Sequence, residues 1–123
     1  YLQYAHARIC SIYRTADERG IAVSSAADVD LSLLREPTEV ALIKKCAELP
    51  RVVEEATDAF EPHTIPHYLG DVATAFHQFY DRCRVLDADN LPMTQARLLL
   101  ASAARTVLAN GLGLLGVRAP QSM

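Results

Sequence analysis

The sequence predicts an all-α fold, an antiparallel bundle of about five helices. Three observations carry this. Apolar residues recur at steps of three and four in several separate stretches. No stretch alternates apolar and polar residues between hairpin turns. Prolines and glycines stand at the ends of the periodic stretches. The 123 residues suit one compact domain, and with half of them hydrophobic a core can form without staples.

The first helix is expected over 2–19, where Leu2, Ala5, Ile9, Ile12 and Ala16 share one face and Gly20 can end it. GIAVSSAADV, 20–29, has no clear period and reads as a loop, and LSLL at 31–34 as a single helical turn. Pro37 suits the first turn of a second helix, 38–48, with Val40, Ile43 and Ala47 as its apolar side. Pro50 lacks an amide donor and should separate this helix from a third, 51–60. EPHTIPHY is read as a connection that is not helical through Pro66. Leu69, Val72, Phe76, Phe79 and Cys83 then form a bundle seam in a helix over 67–83. RVLDADNLPM reads as a loop whose Thr94 caps a last helix, 95–115. That helix is apolar over a wide arc, including Leu100, Ala104, Leu108, Leu112 and Leu114, and belongs at the centre of the bundle.

Composition and spacing exclude several functions. No apolar run is long enough to span a membrane. Cys10, Cys46 and Cys83 are odd in number and far apart, which argues for small buried thiols and a reducing, cytoplasmic home. His63 and His67 have a legal ligand spacing, but Pro66 lies between them and no metal site is expected. No nucleophile elbow or Gly-rich phosphate loop is present, and the glycines of GLGLLG lie late in an apolar helix. No catalysis is expected within the chain. The net charge of −3 opposes nucleic acid at first sight, yet the acids concentrate in the middle. Arg8 and Arg14 at one end, and Arg97, Arg105 and Arg118 at the other, could make one cationic face. The chain opens at Tyr1, inside an amphipathic pattern with no initiator Met, and is read as a piece of a longer protein.

Two features stand out. Tyr1, Tyr4 and Arg8 fall within about 60° of helical arc, flanking the core face rather than lying in it. Taken alone, such rings bury one side and leave a wet hydroxyl. The alternative is a platform for an unpaired base, with arginine for phosphate pairing or planar stacking. The second feature is the tail, VRAPQSM, which either frays or packs its terminal Met123 into a groove.

YLQYAHARICSI resembles the YVQYAHAR segment that begins the C-terminal anticodon-binding domain of arginyl-tRNA synthetases. EPHTIPHYLGDVATAFHQFYDRCRVL is similar to that family's EPHRLxxYLxxLAxxFHxFYxxCxVL stretch, and GLGLLGVRAPQSM to its GLxLLGVxAPxxM ending. The three blocks occur in order and cover essentially the whole chain. The resemblance implies a bundle of the DALR type over 1–123 that docks on the anticodon stem-loop of arginine tRNAs. It implies a longer class I parent with an upstream catalytic domain that uses ATP and Mg²⁺; no cofactor is implied for this piece. By the same resemblance, Tyr1, Tyr4 and Arg8 meet splayed anticodon bases, notably the central cytosine, Tyr80 offers a ring facing the tRNA, and Met123 closes nearby. His6 is expected to pack rather than touch a base. The ending departs from the family at Gln121 and Ser122, where Glu-Arg usually precedes the Met. Two other readings stay open: a helical bundle whose Tyr/Arg flank binds a protein, and a DALR domain of another synthetase such as a glycyl-tRNA synthetase β subunit.

Overall fold

The computed structural model describes residues 1–58 and 63–116. Among them are five α-helices and no strand: α1 (Leu2–Glu18), α2 (Pro37–Ala47), α3 (Leu49–Asp58), α4 (Thr64–Arg82) and α5 (Leu91–Leu114). Two short 3₁₀ turns, Ala26–Asp28 and Leu31–Leu33, interrupt the α1–α2 connection. The all-α expectation holds.

α5 packs against α1, α2 and α4, and α4 against every other helix. The predicted seam of α4 is buried at all five positions, as are Leu100, Ala101, Ala104, Val107, Leu108 and Leu112 of α5. Leu114 departs from the expected arc: it lies at the end of α5 and is 57% exposed. Gly111 explains how closely the two central helices approach. A Cβ placed on it would stand 2.4 and 2.6 Å from the methyl carbons of Leu69.

Helix ends follow local chemistry, not always where the periodicity put them. α1 ends as expected: Gly20 takes φ +72°, its amide donates to Asp17 O (3.0 Å), and the Ile21 amide donates to Ala16 O (2.9 Å). This pair of bonds is a Schellman closure, which needs a left-handed residue. α2 and α3 are separate, but the break falls at Glu48; Pro50 sits in the first turn of α3, where no amide partner is required. The same logic moves the start of α4. Thr64–Pro66, expected to be non-helical, form its first turn, where a proline is tolerated. Thr94 is not the cap of α5. Asn90 takes that place, its side-chain oxygen accepting from the Met93 amide, with Pro92 in the first turn. Thr94 is buried instead, donating to Asp87 O and accepting from the Asp87 amide.

The expected apolar face of α2 is also corrected. Glu39 and Leu42 are fully buried, while Ile43 and Ala47 are exposed. The reason is an ion pair. Arg97 Nε of α5 donates to Glu39 Oε2 at 2.7 Å, and the Glu36 amide donates to Glu39 Oε1 at 3.0 Å. Arg97 Nη1 also donates to the carbonyl of Arg84. A buried carboxylate needs such a partner, so α2 turns this side inward.

Candidate nucleic-acid interface

Four of the five residues singled out from sequence come together where α1 crosses the second half of α4. Tyr1 is 68% exposed and Tyr4 50%, so neither ring is sealed in the core. The Leu2–Ala5–Ile9–Ile12 face holds α1 on the bundle, and the tyrosines flank it. The Tyr1 hydroxyl shares a hydrogen bond with the Thr74 hydroxyl on α4 (3.3 Å). Arg8 lies between two rings: its guanidinium carbon is 4.1 Å from the Tyr80 centroid and 5.9 Å from that of Tyr4. A guanidinium stacked this way keeps its charge and its outward N–H groups while its plane is covered. Tyr80 packs partly against the core, also touching Phe76 (6.0 Å between centroids). The fifth residue, Met123, lies outside the described residues, as do Gln121, Ser122 and Arg118.

The residue that sequence reasoning missed is His77. Its ring contacts Tyr1 at 5.5 Å and Tyr4 at 6.0 Å, and Arg8 Nη1 donates to its Nδ1 at a long 3.5 Å. Arginine only donates, so Nδ1 must accept, and the proton of the neutral ring sits on Nε2. Nε2 is buried and has no hydrogen-bond partner among the described residues. Burial, and then the neighbouring Arg8 charge, push the His77 pKa below its ordinary value; Asp81 pulls the other way. The ring is thus held neutral beside the arginine. A signal for it existed. Thr74, His77 and Tyr80 step by three along the flank of the α4 seam, as Tyr1, Tyr4 and Arg8 flank that of α1.

The cationic face is built differently from the expectation. Arg97 is turned inward to Glu39, and Arg105 covers the Tyr13 ring at 4.6 Å. The charge at this surface comes instead from α1 and from Arg84. A groove of about 650 Å³ starts at Tyr4, Arg8 and Tyr80 and runs past Arg14, Arg19 and Arg84. No Asp or Glu lines it among the described residues.

His6 is buried, as expected, with its Nδ1 3.9 Å from the Cys10 thiol. The three thiols are free, and burial pushes that of Cys46 up to about 11. Among the described residues, no group of three or more His, Cys, Asp or Glu could hold a metal ion, and no helix is long and apolar enough to cross a membrane.

Residues 2–123 match the DALR anticodon binding domain. The chain belongs to the DALR anticodon-binding domain family. This DALR domain is 56% identical over its whole length to part of the arginine–tRNA ligase of Symbiobacterium thermophilum, and 52% identical to part of that of Salinibacter ruber. It spans about a fifth of the length of either, 22% and 21%. Its fold superposes on the arginyl-tRNA synthetase of Thermus thermophilus with a TM-score of 0.85 at 35% identity, covering all of this chain and 21% of that one. These relatives favour the arginine branch of DALR domains over a glycyl-tRNA synthetase β subunit and over a bundle that binds protein.

Proposed function

We propose that residues 1–123 form one anticodon-binding unit of a longer arginine–tRNA ligase, and that Tyr1, Tyr4, Arg8 and Tyr80 receive unstacked anticodon bases of arginine tRNAs. The observation that carries this is the open α1–α4 surface, where two exposed tyrosines stand beside an arginine stacked on a third ring. Each element has a task. The Tyr1 and Tyr4 faces stack the unpaired bases and hold their edges toward Arg8, so the choice of base depends on ring and arginine together. Arg8, fixed by Tyr80 and His77, offers N–H donors to a base edge or a phosphate. Met123 is assigned the closing position beside these rings on the resemblance alone. The partners are the anticodon stem-loop and an upstream catalytic domain in the same chain, acting in the cytoplasm, where the three free thiols would stay reduced.

ATP and Mg²⁺, which such a ligase uses to attach arginine, are assigned to the upstream catalytic domain. The GLGLLG glycines lie in or just past α5, with Gly111 pressed on Leu69, so they form no phosphate loop, and the groove's charged lining, all arginine among the described residues, offers no carboxylate for Mg²⁺. No step of the aminoacylation is assigned here. The unit holds and checks the far end of the tRNA while chemistry takes place elsewhere in the longer protein.

The test is binding of arginine tRNA to the full-length ligase carrying Tyr4→Ala or Arg8→Ala. Weaker binding with unchanged helix content supports the reading. Unchanged binding in both variants refutes it. Unfolding of both would show that the stripe belongs to the core.

A further inference from the structure

We propose that the groove beyond the ring cluster is a track for the sugar-phosphate backbone of the strand whose bases reach Tyr1 and Tyr4. This rests on the reading above and extends it to Arg14, Arg19 and Arg84. The groove holds four of the chain's twelve Lys and Arg residues, in a protein of net charge −3, with no carboxylate in its described lining. Such local concentration of one sign in an acidic protein favours a polyanion.

The fold places Arg8, Arg19 and Arg84 for this purpose. Arg8 and Arg19 are eleven positions apart on one helix, about 16 Å along its axis, so the track accommodates more than one nucleotide. Arg19 is the C-cap of α1, fixed by the Gly20 and Ile21 closure. That closure also occupies the Asp17 and Ala16 carbonyls, which would otherwise present the negative helix end to a phosphate. Across the groove the chain leaves α4 in extended conformation at Cys83. Cys83 and Val85 are buried, so Arg84 between them points outward. The Arg84 carbonyl is held by Arg97, which ties this wall to the buried Glu39 pair. Guanidinium groups suit the ligand, since their planar forks match phosphate oxygens.

Counterion release supplies the test. In the full-length ligase, Arg19→Gln, Arg84→Gln and the double variant are compared with wild type for binding to an arginine tRNA transcript over a salt series. Each substitution is expected to flatten the plot of log affinity against log salt by about one, and the pair by about two. Preference for the native over a base-changed anticodon should stay the same. Arg19→Lys with Arg84→Lys should keep most of the wild-type slope. An unchanged slope in the folded double variant overturns the track, even if affinity falls equally at every salt concentration. The underlying reading fails separately: it falls if Tyr4→Ala leaves anticodon discrimination intact, whatever the slopes do.

Discussion

Arg8 shows how one residue can hold opposite demands together. In the proposed role its guanidinium must be dry enough to stay in place and wet enough to meet a base or phosphate. Stacking on Tyr80 and the contact to His77 supply the first, and the open Tyr4 side supplies the second. Losing a stacking ring costs about 1–3 kcal/mol per base. Tyr4→Ala should therefore weaken tRNA binding by roughly 5- to 150-fold, measured by filter binding, with the circular dichroism spectrum unchanged. His77 makes a prediction in pH. Its folded pKa lies below the unfolded value, so the unfolded chain binds more protons in mildly acidic solution. The contribution is full above about pH 6.5 and is lost as pH falls through the folded value. Denaturant midpoints taken near pH 7.5 and near pH 5.5 should fall more in wild type than in His77→Gln. An equal fall in both would remove His77 from the account.

At the scale of helices, the central α4–α5 contact and the Glu39–Arg97 pair bear most of the consequences. Alanine is the better helix former by about 1 kcal/mol, so Gly→Ala in a helix ordinarily stabilises. Gly113, with nothing near its would-be Cβ, should follow that rule. Gly111 should not, because the fully buried Leu69 side chain must shift within the core to make room; overpacking there should cost about 1–3 kcal/mol. Urea titration of the two variants should show shifts of opposite sign. Arg97→Ala leaves the buried Glu39 without its ion-pair partner, and a loss of about 3–5 kcal/mol is expected in the same assay. These two contacts also mark what periodicity could and could not reveal. The seam Leu69–Val72–Phe76–Phe79–Cys83 was legible because every member is apolar and evenly spaced. The inward side of α2 was not, because its anchor is a glutamate, and only a partner 58 positions away makes its burial tolerable. The starts of α3, α4 and α5 were misplaced for a related reason, whereas those of α1 and α2 were legible. Asn90, Pro50 and Pro66 obey local rules of the first turn, which an apolar pattern does not report.

Across the whole molecule, the fold serves to set two flanking stripes side by side. The α1 stripe was visible in sequence as Tyr1, Tyr4 and Arg8; its α4 counterpart was visible only at Tyr80, and His77 emerged when the helices were packed. Charge behaved likewise. Arginines counted toward a cationic face, Arg97 and Arg105, are spent on Glu39 and Tyr13, whereas Arg19 and Arg84, unremarked in the linear chain, line the groove. Core and interface should therefore separate under mutation. Phe76→Ala should cost about 3–5 kcal/mol of stability through a buried cavity, read by thermal denaturation, whereas Tyr4→Ala should leave the melting temperature nearly unchanged.

The central claim is that the ring cluster reads an anticodon base, and a double-mutant cycle tests it most directly. Affinities of the full-length ligase, wild type and Tyr4→Ala, are measured for arginine tRNA and for the same tRNA with its central anticodon cytosine replaced. The account predicts that the wild-type preference for cytosine shrinks by about tenfold, or about 1.4 kcal/mol of coupling, in the variant. The same preference in both proteins, with Tyr4→Ala folded, would contradict it.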